Sequence, residues 1–187
     1  MEKILQKDKK VLRQKAREIP VREIKTLKVK KILREMSTAL RSQSDGVAIA
    51  APQIGYPLRV FVVSGKIFHP DFPKKREERL LAEEKTKTTD KVESAKLGKD
   101  LIFINPKISK LSRDKEWVPE GCLSVRWLYG KTYRSKKATV EAYDEKGKKF
   151  VRGASGLLAQ IFQHETDHLD GILFIDHARD VKEELPK

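Results

Sequence analysis

A single cysteine, Cys122, stands in the 187 residues, so the chain cannot close a disulfide on itself. That agrees with a reducing compartment. Long apolar runs are missing too. No stretch approaches the ~20 residues of a membrane span, and no membrane partner is expected. Residues 1–10 mix acids and bases and contain no apolar core, so no secretory signal is expected. Glu2, Asp8, Glu18 and Glu23 also break the acid-poor pattern of a transit peptide. A cytoplasmic protein is the expectation. Histidine is scarce as well, at four residues, which makes the placing of two of them informative.

What is abundant is charge. Asp, Glu, Lys and Arg make up 36% of the chain, and the net charge is +14. Residues 1–43 hold fourteen Lys/Arg against five Asp/Glu, whereas from Leu173 onward acids outnumber bases four to three. The basic surface therefore lies in the front of the chain, and an anionic partner or environment is implied. Nothing in the pattern points to specific DNA. The length suits one domain with a sizeable core, spanning 1–187.

Along the chain, residues 1–22 read as an irregular lead-in. A helix is expected over 21–41, from the stripe Ile24, Leu27, Ile32, Leu33, Met36 and Leu40. The run Gly46-Val47-Ala48-Ile49-Ala50-Ala51-Pro52-Gln53 is built of small residues that allow close backbone approach, with one polar side chain. Residues 59–63 read as a strand. Residues 65–100, with ten bases and eight acids, read as a charged surface insertion, partly helical around 77–84. A strand is expected over 101–106 that ends in a turn, another over 111–118, and a third over 133–143. Asp144-Glu145-Lys146-Gly147 reads as a hairpin turn with 148–152 pairing back. A helix follows, with Leu157, Leu158, Ile161, Phe162 and Leu169 as its stripe, Ser155 as N-cap and Gly171 as stop. One short helix is expected in the tail. Helix, strands, then helix give an α+β class: antiparallel sheets around a central C-terminal helix, with an N-terminal helix.

That C-terminal helix carries Gln163-His164-Glu165-Thr166-Asp167-His168. Residues i and i+4 lie on one helical face, so His164 and His168 can aim nitrogens at one metal ion. Glu165 then stands beside it, where H-E-x-x-H chemistry places a general base. A catalytic metal takes three protein ligands and keeps one position open. A third histidine at the metzincin spacing would fall on position 174, which is Phe174. Glu183 and Glu184 lie in a polar tail, a poor place for a rigid ligand. Cys122, in the turn Glu120-Gly121-Cys122-Leu123-Ser124, is the remaining candidate, since a thiolate suits Fe2+, Zn2+, Ni2+ or Co2+.

Taken together, the small-residue run ending at Gln53, the Glu120–Ser124 turn and the His164–His168 motif resemble the three ordered motifs of the peptide deformylases. Gly156-Leu157-Leu158 and Leu169-Asp170-Gly171 extend the match, which covers nearly the whole chain except 65–100 and the tail. The resemblance implies removal of the formyl group from the first methionine of new proteins, with release of formate. It implies Cys122, His164 and His168 as metal ligands, with Fe2+ as the usual ion and Zn2+, Ni2+ or Co2+ as replacements. It implies Glu165 as general base and acid, and the Gln53 side-chain amide and Leu123 backbone N–H as donors to the oxyanion. Gly46, Val47, Ala48, Val118, Glu120, Gly121, Leu157 and Ile161 are the implied substrate-binding residues. Implied partners are formyl-methionyl nascent peptides and, through the basic front of the chain, the ribosome near its exit tunnel.

Three departures from the family pattern stand out. Ala48 stands where the family often has glycine, which would matter if the residue needed φ > 0. Val125 is followed by Arg126-Trp127, where a proline often follows. The tail is short and slightly acidic, where many members end in a long basic helix. Two competing readings remain, a zincin-type protease and a basic RNA- or ribosome-binding module. Phe174 disfavours the first, and the intact set Gln53, Cys122, His164, Glu165 and His168 disfavours the second.

Overall fold

The structure is a computed structural model and describes residues 4–72 and 98–185. The expected helical stretch at 77–84 lies outside the described residues. Helix α1 spans Leu27–Arg41 and buries Val29, Ile32, Leu33, Met36, Ala39 and Leu40 on one face. It begins later than the apolar stripe predicts. Thr26 caps it by accepting from the Val29 N–H, and Val21–Glu23 form a separate 3-10 turn. Ile24 belongs to that turn's exit and is still fully buried.

Strands β1 (Ala48–Ala50), β2 (Val60–Val63), β3 (Leu101–Leu111), β6 (Lys137–Tyr143) and β7 (Lys149–Ser155) form a five-stranded antiparallel sheet in the order β1-β2-β3-β6-β7. Strands β4 (Lys115–Gly121), β5 (Leu128–Ser135) and β8 (Arg179–Glu183) form a second sheet in the order β4-β5-β8. Helix α2 spans Gly156–Leu169 and packs on the larger sheet. Antiparallel sheets with an N-terminal helix and a C-terminal helix at the centre make this an α+β fold, as the element order predicts.

Several sequence-based boundaries move. Strand β3 does not stop at Pro106 but runs on to Leu111 through a register shift between Ile104 and Lys107. Asn105 takes φ 51°, and its side chain is bonded on both sides to Ile19: Oδ1 accepts from the Ile19 N–H at 2.8 Å and Nδ2 donates to its carbonyl at 2.7 Å. The proline sits at a bulge, where no ladder bond is lost. The expected strand over 133–143 is two strands, β5 and β6. Ser155 ends β7 without capping α2 through its side chain. The tail holds a 3-10 turn, Phe174–Asp176, and then β8.

The core between α2 and the larger sheet is centred on Phe61, Phe103 and Phe162. The first two rings stack at 4.5 Å, and Phe162 meets Phe103 edge-on at 5.1 Å. Burying each such ring contributes roughly 1.5–3 kcal/mol. The end of α2 is held from outside the helix. Buried Arg59 donates to the Leu169 carbonyl at 3.3 Å and to Asp170 Oδ1 at 2.7 Å, a cation at the negative helix end. Gly171 follows at φ 78°, and a Cβ there would lie 2.8 Å from the Arg13 backbone, so only glycine lets the N-terminal segment pass so closely. Among the described residues no helix is long and apolar enough to cross a membrane.

Candidate metal centre

Helix α2 presents His164 and His168 one turn apart, with ring centroids 5.0 Å from each other. The turn after β4 brings Cys122 against them. Its Sγ lies 3.1 Å from His168 Nε2. Ligand atoms of Cys122, His164 and His168 all fall within 4.8 Å of one another. Phe174, at the position where a metzincin would carry its third histidine, stacks its ring 6.4 Å from that of His164.

The donor set fits a divalent ion. One thiol and two imidazoles converge from two elements, and His164 Nδ1 is already engaged by Glu120 Oε2 at 3.1 Å, which leaves Nε2 for the centre. Burial opposes ionisation of Glu120, but His164 and Arg134 beside it hold its carboxyl well below the usual carboxylate range. Burial opposes a charge on His164 too, yet Cys122 and Glu120 push its pKa well above the ordinary value. Burial pushes His168 the other way, well below it. Glu165 is buried on α2, its Oε2 has no hydrogen-bond partner among the described residues, and burial pushes its carboxyl up to about 7.

Gln53 closes the opposite side. It is 2% exposed. Its Oε1 accepts from the Ala50 N–H at 2.7 Å, and its Nε2 donates to Ser124 Oγ at 3.1 Å while facing Cys122 Sγ at 3.6 Å. The amide is thereby fixed with its nitrogen toward the thiol. Gly46 lies against Leu123, whose side chain is 3.1 Å from where a Cβ would stand. Val47, Leu157 and Ile161 share one hydrophobic cluster. Val118 stands apart from it, two residues before Glu120 on the same face of β4. Gly121 ends β4 opposite Tyr129. Ala48 is paired with Val63 in β1, and among the described residues the positive-φ residues other than glycine are Asn105 and Asp180. Ala48 therefore needs no left-handed backbone, and the departure from glycine causes no strain. Arg126 reaches back to the entrance of the small-residue run, donating to Asp45 Oδ1 at 3.0 Å and to Gln43 Oε1 at 3.1 Å.

Sequence reasoning missed the residues that hold this set in place. Arg134 Nε donates to Glu120 Oε1 at 2.8 Å, Nη2 to Glu120 Oε2 at 3.1 Å and Nη1 to Asp167 Oδ2 at 2.7 Å. It ties the cysteine-bearing turn to the histidine helix. Gln163 fastens the same helix to β5, accepting from the Ser135 N–H at 3.0 Å and donating to its carbonyl at 2.9 Å. The available signal for Arg134 is its alternation with buried Thr132 on β5, which marks a cation on an inward face.

Comparison with known proteins agrees with this geometry. The family model for polypeptide deformylase matches residues 1–184. Peptide deformylase 2 of Clostridium acetobutylicum is 37% identical over 167 residues, covering 89% of this chain and 87% of that one. The crystal structure of a peptide deformylase from Synechococcus elongatus in complex with actinonin is 29% identical, with a TM-score of 0.73 over 95% of this chain and 80% of that one. A Plasmodium falciparum peptide deformylase in complex with an inhibitor is 28% identical, with a TM-score of 0.71 over 95% and 90%. A thiol–imidazole cluster beside a buried glutamate, on this fold and with relatives of this likeness, leaves one assignment: the chain belongs to the polypeptide deformylase family.

Proposed function

We propose that Cys122, His164 and His168 hold the metal of this deformylase, that Glu165 carries the proton, and that Gln53 and Leu123 receive the oxyanion. The overall reaction is hydrolysis of the formamide at the first methionine of a nascent peptide, giving formate and a free amine. The observation that carries the division of roles is the convergence of three ligand atoms within 4.8 Å beside a buried carboxylate oxygen that has no hydrogen-bond partner among the described residues.

A divalent ion bound by a thiolate and two imidazoles supplies Lewis acidity and lowers the pKa of a water. Our assignment is Fe2+, with Zn2+, Ni2+ or Co2+ as replacements. Glu165 removes the proton from the attacking water and returns it to the departing amine nitrogen, so one carboxylate serves as base and then as acid. As the formyl carbon becomes tetrahedral, its oxygen gains charge that the Gln53 amide and the Leu123 N–H stabilise. Each such donor is typically worth ~3–4 kcal/mol. Gly46, Ala48 and Gly121 bring backbone close to the substrate chain and leave room for little more than H–C=O. Val47, Val118, Leu157, Ile161 and the His164 ring wall the methionine side chain, while Glu120 both borders the site and orients His164.

We place the enzyme in the cytoplasm, working as a single catalytic domain over 1–187. Its basic front, residues 1–43, faces the ribosome near the exit tunnel, a reading supported by fourteen bases against five acids there. The test is formate release from a formyl-Met-Ala peptide by protein purified without oxygen, since thiolates and ferrous ions are both oxidised. Glu165→Ala is expected to abolish turnover while metal content stays at one per chain. Turnover within threefold of the parent in that variant would remove Glu165 from the mechanism.

A further inference from the structure

The outer face of the smaller sheet carries a feature that deformylation does not use. Residues 115, 117, 119 and 121 of β4 alternate outward, and their register partners on β5 share that face. Trp117 lies directly opposite Tyr133, with ring centroids 5.2 Å apart. Both rings face solvent, at 42% and 53% exposure. The Arg179 guanidinium lies 4.6 Å over the Trp117 ring, and Lys115 Nζ lies 5.7 Å from the centre of Tyr133. Lys131 and Lys182 continue the face along β5 and β8, in register with Arg179 and Tyr129 respectively.

We propose that this face binds single-stranded RNA, with bases stacked on the Trp117–Tyr133–Arg179 platform and phosphates on Lys115, Lys131 and Lys182. Charge complementarity argues for a polyanion. Among the described residues, Lys115, Arg179 and Lys182 have no carboxylate within ion-pair distance, and Lys131 has only exposed Asp180 at 3.7 Å. A protein partner is a poorer match, because interface centres are depleted of lysine. A duplex is poorer too, because its bases show no open faces. Exposed rings flanked by cations are what single strands require: stacking tolerates any base, and the cations track the backbone. The choice of RNA over DNA rests on the deformylase reading, since nascent peptides are met where RNA is the abundant polyanion. The face belongs to the strand that carries Glu120 on its other side and leads into Cys122. A bound RNA would therefore lie across the thickness of β4 from the Glu120 side chain.

The test is fluorescence anisotropy with labelled single-stranded RNA of about 12 nucleotides, using full-length protein carrying Glu165→Ala, so that binding is read independently of turnover. Binding should weaken with a log–log salt slope near −2, as expected for about three phosphate contacts to a single strand. Arg179→Glu and the pair Trp117→Ala/Tyr133→Ala should each weaken it about tenfold. Trp117→Phe, which keeps an aromatic face, should stay within threefold, and deformylation of a free peptide by the corresponding active proteins should not change. Three outcomes would overturn the proposal. One is an equal loss from reversing Lys28, Lys30 and Lys31 on α1, which would mean bulk charge alone. Another is no loss in the double aromatic variant. The third is equal competition by an acidic peptide of matched charge, which would mean a protein ligand.

Discussion

Glu120 Oε2 lies 3.1 Å from Nδ1 of His164, and that bond decides which nitrogen of the ring is left for a metal. An orienting carboxylate fixes both the tautomer and the tilt of a ligating imidazole. Glu120→Gln keeps the shape and removes the charge. The metal affinity of this variant should fall ~10–100-fold, read by competition with a chromophoric chelator. An unchanged affinity would mean that the helix alone sets the ring.

Arg134 makes three hydrogen bonds to two carboxylates, Glu120 and Asp167, in a nearly closed environment. Truncating it leaves Glu120 buried beside His164 at 3.1 Å and the longer bond from Gln160 Nε2 at 3.4 Å, with no guanidinium to balance its charge. Breaking a buried ion pair from one side costs ~3–5 kcal/mol. Arg134→Ala should lose that amount in urea unfolding, and the metal should dissociate at lower denaturant than in the parent. Arg134→Lys should recover only part, because a single ammonium cannot bridge both carboxylates in the same fork.

Metal removal tests the same cluster without mutation. A ligand that binds only the folded chain, present at about 100 times its Kd, stabilises by ~2.7 kcal/mol. For a chain of this length that corresponds to on the order of 5–10 °C in Tm. Calorimetry before and after chelation should show this gap, with recovery on adding Fe2+ or Zn2+. In Cys122→Ser the gap should shrink, since a hydroxyl is a far weaker ligand than a thiolate for these ions.

The parts of the fold that were legible in the sequence are those set by local rules. His164 and His168 follow from helical spacing alone, and the Asp144–Gly147 turn follows from its composition. The illegible parts depend on partners far along the chain. Asn105 adopts φ 51° and lets β3 pass Pro106 because Ile19, 86 residues earlier, bonds both ends of its amide. The expected end at Pro106 follows from local rules alone. The expected strand over 133–143 starts too late to show the alternation of buried Thr132 and Arg134 on β5, so the sequence hides Arg134. Ala48 posed the opposite problem. Its family position called for a glycine argument, but the pairing with Val63 gives it ordinary extended backbone.

That backbone makes Ala48 a testable case. Glycine inside a strand is less favourable than alanine by roughly 0.5–1 kcal/mol, because more freedom is lost on folding. Ala48→Gly should lower unfolding free energy by about that amount. A gain in stability would mean that the alanine methyl, buried in the core, is under steric pressure.

The last relationship joins the start of the chain to the oxyanion side of the site. Gln6 Nε2 donates to the Leu123 carbonyl at 3.1 Å, and Gln6 Oε1 accepts from the Arg126 N–H at 3.3 Å. One amide thus spans the turn that carries Leu123, from partners 117 and 120 residues away. Helix α1 and Gly46 support the Leu123 side chain, the Val125 N–H holds the Cys122 carbonyl at 3.1 Å, and Gln6 fastens the backbone that follows the Leu123 N–H. If the Leu123 N–H must point at a developing oxyanion, its orientation matters in the transition state more than in the bound substrate. Gln6→Ala should therefore lower kcat about tenfold, or ~1.4 kcal/mol, with KM changed less than twofold and metal content unchanged. Gln6→Glu keeps the acceptor for Arg126 but sets a carboxylate against the Leu123 carbonyl, so it should not rescue. Gln6→Asn, one methylene short of both partners, should also fail. A raised KM with intact kcat would instead make Gln6 a support for substrate binding.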